Sequence, residues 1–272
     1  KKFAVLSKER INYEQAQTLW NLTAEQNLVE RLNIFSNYID RLNVDDRNEM
    51  ITKIGDEYHT YNPYEHMVQV LEGRMRESEN IQPNVLDAFA RCEISEWKRA
   101  VARNKNTMAE TLDFLAEDND TWLLENVAKN PRTTSQTLMK IFDKTRDNNA
   151  LEAIAYNQNT SQKILTKLSK SETRVRINVA GHKNTSTETL SYLSKDVEPA
   201  VRHAVAQNWN TPSEILDILS YDSEIDIVWC VADNSNTPHP TLKRLAKNSN
   251  KEISNAAKFG LKYLQNSYDG GK

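Results

Sequence analysis

An Asn-x-x-Thr pair, Asn208 and Thr211, returns in register along more than half of the chain. It recurs as Asn104/Thr107, Asn130/Thr133, Asn157/Thr160 and Asn234/Thr237, and His182 stands in for Asn before Thr185. Successive threonines are 26, 27, 25, 26 and 26 residues apart. A small apolar pair precedes each copy, as in Val101-Ala102, Ile154-Ala155 and Val205-Ala206, and two apolar residues follow each threonine, from Leu112/Leu115 to Leu242/Leu245. A fixed period of this length means stacked repeats, because a unit this short cannot bury its own apolar face and must lean on its neighbours.

Within one unit, Val201, Val205 and Ala206 share one face of a helix of about two turns. Each threonine is expected to open a second helix by accepting a first-turn N–H bond. Three residues on, Glu110, Gln136, Glu188 or Glu214 would complete a capping box, with Pro212 and Pro238 at the first helical position. The second helix buries a stripe such as Ile215, Leu216 and Leu219, and a small residue such as Ser220 lets neighbouring helices approach. The repeated Asn, or His182, falls at the joint between helices, where an amide or imidazole can satisfy loop backbone groups.

The run Val201-Arg202-x-Ala204-Val205-Ala206-x-Asn208, then Thr211-Pro212 and Leu216-x-x-Leu219, resembles the leucine-rich repeat variant family. The resemblance covers roughly residues 96 to 250 and implies an all-α fold, a right-handed, HEAT-like α-α superhelical solenoid of about six helical hairpins. The founding member of that family is known for an iron–sulfur cluster held by N-terminal cysteines. A cluster takes about four thiolates and this chain has only Cys92 and Cys230, so no cofactor carries over.

The expected organisation is an N-terminal helical region over residues 1–66, a degenerate capping repeat over 67–95, six repeats over 96–250, a closing helix over 251–265 and a disordered tail over 266–272. In the first region Ser7 or Asn12 can open a helix through Leu19. Thr23 with Gln26 reads as the capped start of a long helix to about Leu42, Asp46 begins another, and His59 to Pro63 reads as a turn.

A net charge of −3 and a pI near 6.0 give no bulk pull toward nucleic acid or anionic lipid. Two cysteines 138 positions apart form no disulfide framework or zinc spacing, which suits a reducing, cytoplasmic setting. There is no apolar run long enough to span a bilayer. Six glycines and seven prolines among 272 residues favour helices over sheets and phosphate loops.

No catalytic constellation emerges. His59 and His66, with Glu57 and Glu65, could approach a metal site if the intervening turn folded back, but a third and fourth ligand are not in view. His182 reads as structural. The positions three and two before the repeated Val vary while the framework holds, and Arg176, Arg202, His203 and Trp229 fall there in successive units; Trp209 lies in the joint loop. Trp and Arg are the side chains that most often anchor interfaces, so these five residues form the candidate binding strip, the alternative being that the tryptophans cover the array locally. The expected function is a non-enzymatic scaffold that binds a protein or peptide. Nucleic-acid binding along the same strip is the alternative, and an enzyme or metal site in the N-terminal helices is a third.

Overall fold

The computed structural model describes residues 10–24, 31, 34–35, 38–59, 81–91 and 95–269. Among them every regular element is helical. The chain divides into two compact units, Lys1–Thr145 and Arg146–Lys272.

In the first unit α1 (Tyr13–Asn21) starts at Asn12, whose side chain accepts from the Gln15 N–H while Gln15 Oε1 accepts from the Asn12 N–H, both at 3.0 Å. The expected long helix does not reach Leu42: residues Ile39–Arg41 form one 3-10 turn and Leu42 is extended. Thr23 donates its hydroxyl to the Trp20 carbonyl at 2.7 Å, and Gln26, its expected capping partner, lies outside the described residues. Trp20 meets Phe35 edge-on at 5.9 Å, and Phe35 meets Tyr38 at 4.9 Å. Helix α2 (Val44–His59) begins two residues before Asp46, because the Asn43 side chain accepts from the Asp46 N–H at 2.8 Å and so caps the first turn. The turn expected between His59 and Pro63 falls outside the described residues, as does Cys92. Helix α3 (Pro83–Ala90) falls in the segment expected to cap the array. Two repeats follow: α4 (Ser95–Arg103) with α5 (Ala109–Leu115), and α6 (Thr121–Lys129) with α7 (Ser135–Lys144).

The second unit stacks four helix pairs. They are α8 (Asn148–Tyr156) with α9 (Gln162–Leu168), α10 (Thr173–Gly181) with α11 (Thr187–Leu193), α12 (Pro199–Gln207) with α13 (Ser213–Leu219), and α14 (Ile225–Asp233) with α15 (His239–Leu245). First helices pack successively, α8 on α10, α10 on α12 and α12 on α14, and α16 (Lys251–Asp269) closes the series against α14 and α15. It stays helical to Asp269, past the expected end at 265 and into the expected disordered tail. The paired leucine-type positions and the Val-Ala pairs of every repeat are buried. They supply the shared core that no single hairpin could make.

The six repeated threonines, Thr107, Thr133, Thr160, Thr185, Thr211 and Thr237, do not cap the second helices they were expected to open. All six are buried. The cap is the next residue, Met108, Thr134, Ser161, Ser186, Pro212 or Pro238, which holds an extended backbone. The first helical bond returns to it, as in Leu216 N–H to Pro212 O at 3.1 Å. Proline tolerates this place because an N-cap need not donate its N–H. Glu110, Gln136, Glu188 and Glu214 consequently fall on the second helical residue, too early for a capping box. The freed hydroxyl donates instead to the carbonyl six residues back: Thr107 to Val101, Thr133 to Val127, Thr160 to Ile154, Thr185 to Val179, Thr211 to Val205 and Thr237 to Val231, at 2.5 or 2.6 Å. That bond fastens the joint to the end of the first helix.

Candidate functional site

The joints carry two nested polar ladders. Each repeated Asn folds its side-chain oxygen over its own loop, accepting from the N–H two residues on; Asn208 does so from Asn210 at 2.9 Å and Asn234 from Asn236 at 3.0 Å. Its amide then crosses to the preceding repeat. In the first unit Asn130 donates to Ala102 O and Asn104 O at 2.7 and 2.9 Å. In the second, Asn208 donates to Ala180 O and His182 O at 2.7 and 3.2 Å, and Asn234 to Ala206 O and Asn208 O at 2.8 and 3.1 Å. His182 fills the same post. Its Nδ1 accepts from the Asn184 N–H at 3.0 Å and its Nε2 faces Asn157 O at 2.9 Å, which requires the neutral ring with its proton on Nε2. Burial pushes this imidazole below its ordinary value, against the hydrogen bond to Asn157 and with Lys183. A second asparagine, two residues after the first, adds Asn184 to Thr160 O at 3.0 Å and Asn210 to Lys183 O at 2.6 Å.

The five residues of the expected strip are not all brought to one site: Arg176 and Arg202 are held by aspartates, while Trp209 and Trp229 line one groove. Arg176 forks onto Asp196, Nε to Oδ2 at 2.7 Å and a terminal nitrogen to Oδ1 at 3.0 Å, and also donates to Ser171 O at 2.8 Å. Arg202 repeats the arrangement with Asp222 and Asp196 O at 2.7, 3.0 and 2.8 Å. The side chains of Arg202 and Asp222 are only 15% and 7% exposed. Each aspartate also accepts from a loop N–H two residues on, Glu198 for Asp196 and Glu224 for Asp222. These pairs tie the start of a first helix to the loops on either side. Arg202's hydrogen bonds hold Asp222 below the usual carboxylate range despite its burial. His203 turns to Cys230, Nε2 to Sγ at 3.2 Å. Burial pushes that thiol up, so the pair is a hydrogen bond and no activated nucleophile.

Trp209 and Trp229 remain free of those ties and line one groove of about 730 Å³, cut entirely into the second unit. Its floor is made by short side chains on first helices, Asn178, Gly181 and Ala204, and its edges by Tyr156, Trp209 and Trp229. The three aromatics are 71%, 69% and 40% exposed. At Gly181 a β-carbon would meet nothing within 4 Å, so the absent side chain opens the floor directly to solvent. Among the lining residues Lys183 and Asp233 carry charge. Tyr156, Gly181, Gln207 and Asp233 were not singled out from sequence. The signal was present: all four stand immediately before the repeated Asn or His, the column that faces the groove.

The side chains of His59, His66, Glu57 and Glu65 fall outside the described residues. Among the described residues, no group of three His, Cys, Asp or Glu is placed to hold a metal ion, and no helix is long and apolar enough to cross a membrane.

Tandem helical hairpins, side-chain ladders between them and an open groove along their first helices define a helical-repeat scaffold. No protein-family model matches the sequence, and no relative is found among curated proteins. Among solved structures the chain is similar to a leucine-rich repeat variant with a novel repetitive structural motif, at 19% identity over 86% of this chain and 87% of that chain, with a TM-score of 0.52. The chain has the fold of that leucine-rich repeat variant. It also matches an engineered protein at 14% identity over 93% of this chain and 79% of that one, TM-score 0.34. A designed armadillo repeat protein matches at 16% identity over 93% and 100%, TM-score 0.20.

Proposed function

We propose that the chain is a non-enzymatic scaffold that binds a protein segment or peptide in the groove of its second unit. The observation that carries this reading is the set of exposed rings, Tyr156, Trp209 and Trp229, around a floor left bare at Gly181. Large rings standing in water over short side chains are characteristic of surfaces that bury an incoming chain. With Arg176 and Arg202 committed to aspartates and His203 turned to Cys230, the binding residues narrow to Trp209 and Trp229 with their groove neighbours. A free, buried Cys230 suits a reducing, cytoplasmic setting.

The test is affinity capture with the wild-type chain and with Gly181→Phe as parallel baits. Phenylalanine enters open space, so the variant keeps its helical circular dichroism and thermal transition while the groove is filled. A partner recovered by wild type and lost with Gly181→Phe supports the groove; equal recovery by both overturns it.

A further inference from the structure

Charge around the groove is unevenly placed: Asp233 lines it, and Asp226 stands outside the lining on the same helix. Asp226, Trp229 and Asp233 lie at i, i+3 and i+7 on α14, one face of one helix, and all three are exposed. Among the described residues neither carboxylate is engaged in an ion pair or hydrogen bond. Asp233 lines the groove beside Cys230, whose thiol is pushed up by burial first and by the charges of Asp233 and Asp226 after it. Lys183, the lining cation, belongs to the joint two repeats earlier. At the 8–10 Å spacing of packed helices it stands roughly 16–20 Å off, about two to two and a half Debye lengths at physiological salt. The Trp209–Trp229 end of the groove therefore presents exposed indoles beside uncompensated negative charge.

Two attractions act there on the same kind of guest. An indole face attracts a desolvated cation through its quadrupole, and a carboxylate at the rim adds a charge-assisted hydrogen bond. A carboxylate or phosphate guest would meet repulsion from both aspartates, and an aliphatic guest would leave them unused. Resting on the peptide-binding reading above, we infer that this end of the groove recognises a basic side chain, arginine or lysine, of the bound peptide, seated against Trp229 with Asp233 as counter-charge.

Random dodecapeptides displayed on phage are selected on the immobilised full chain, and the enriched sequences are synthesised and titrated by tryptophan fluorescence. The expected result is enrichment of peptides with arginine or lysine at a fixed position. Replacing that residue by norleucine, or making Asp233→Asn in the protein, should weaken binding by about three- to tenfold, and Trp229→Ala by a similar factor. Asp233 is exposed, so its variant tests the inference even if Trp229→Ala folds poorly. Peptides that lack a basic residue yet are lost with Gly181→Phe overturn this inference and leave the groove reading standing. Failure to enrich any peptide, or binding indifferent to Gly181→Phe, overturns both. A fluorescent single-stranded oligonucleotide titrated in parallel should not bind; groove-dependent binding of it would replace the peptide by nucleic acid and overturn the inference.

Discussion

Thr211 Oγ1 donates to the carbonyl of Val205, six residues back, at 2.6 Å, and the side chain is fully buried. The bond spans the joint between α12 and α13, so it sets the angle at which one helix returns along the other. The same carbonyl also accepts from the Asn208 N–H at 3.2 Å, which leaves it partly satisfied if the hydroxyl is lost. Thr211→Val should therefore lower the unfolding free energy by about 1 kcal/mol, and Thr211→Ala by about 2 kcal/mol because a void is added. Urea denaturation would measure both, and equal stability of wild type and Thr211→Val would mean that the short bond contributes nothing.

Asn208 makes a sharper case because its two ends do opposite work. The amide nitrogen gives protons to Ala180 O and His182 O, while Oδ1 takes one from Asn210. In Asn208→Asp the near-isosteric carboxylate keeps the loop bond but turns negative oxygen toward two carbonyl oxygens. A loss of about 3 kcal/mol or more is expected, exceeding that of Asn208→Ala, since a buried unpaired charge costs more than a missing bond. Thermal unfolding of the two variants side by side decides it; an Asp variant as stable as the Ala variant would remove the ladder from the account.

The helical hairpins were legible because each repeat sets the same apolar residues in the same register, and burial follows that register. The joint was legible only in part. Asn and Thr are both good local hydrogen-bonding residues, so spacing alone could not tell whether Thr107, Thr133, Thr211 or Thr237 caps the helix ahead or fastens the one behind. In the Thr211 joint Pro212, extended and carbonyl-bonded to the new helix, takes the cap. Arg176 and Arg202 looked free because their partners, Asp196 and Asp222, lie 20 residues on, a separation that only the closed hairpin brings together. The groove was hidden for another reason: its floor is defined by what Gly181 and Ala204 lack.

His182 should make the stability depend on pH where its asparagine counterparts do not. Its imidazole is held below the ordinary value of 6.5, first by burial, and protonating Nδ1 would set a donor against the Asn184 N–H. The unfolded chain thus binds a proton that the folded chain resists, so this contribution is complete above about pH 6.5 and is lost as pH falls from there toward the folded value. His182→Asn, which restores the residue of the other repeats, should flatten the slope of unfolding free energy between neutral and mildly acidic pH. A slope unchanged by that substitution would assign the titration to another group.

The Arg202–Asp222 pair predicts a second, more acidic limb. Asp222 is held below its ordinary 3.8 by Arg202's hydrogen bonds, with burial opposing. Its contribution is present above about pH 3.8 and is lost as pH falls through the lower folded value. Arg202→Lys keeps the charge but not the fork, and should cost about 1 kcal/mol at neutral pH; Arg202→Ala, which strands the carboxylate, should cost about 2 to 3 kcal/mol and weaken the acid limb. Neither should change the affinity of a groove-bound peptide apart from the effect of lost folding, and a selective loss of affinity in Arg202→Lys would return this arginine to the binding surface.

Gly181 separates a packing role from a binding one by the sign of its effect. A helical glycine that exists to let another element approach is destabilised by any side chain. At Gly181 the added β-carbon meets open space, so Gly181→Ala should raise the unfolding free energy by about 0.5 to 1 kcal/mol through reduced freedom of the unfolded chain. The same methyl intrudes on the groove floor, so affinity for a selected peptide should fall even as the fold gains stability, and Gly181→Phe should abolish it. Calorimetry for the fold and fluorescence titration for the peptide read the two effects independently. A destabilised Gly181→Ala variant would identify this position as a packing contact and take the groove floor with it.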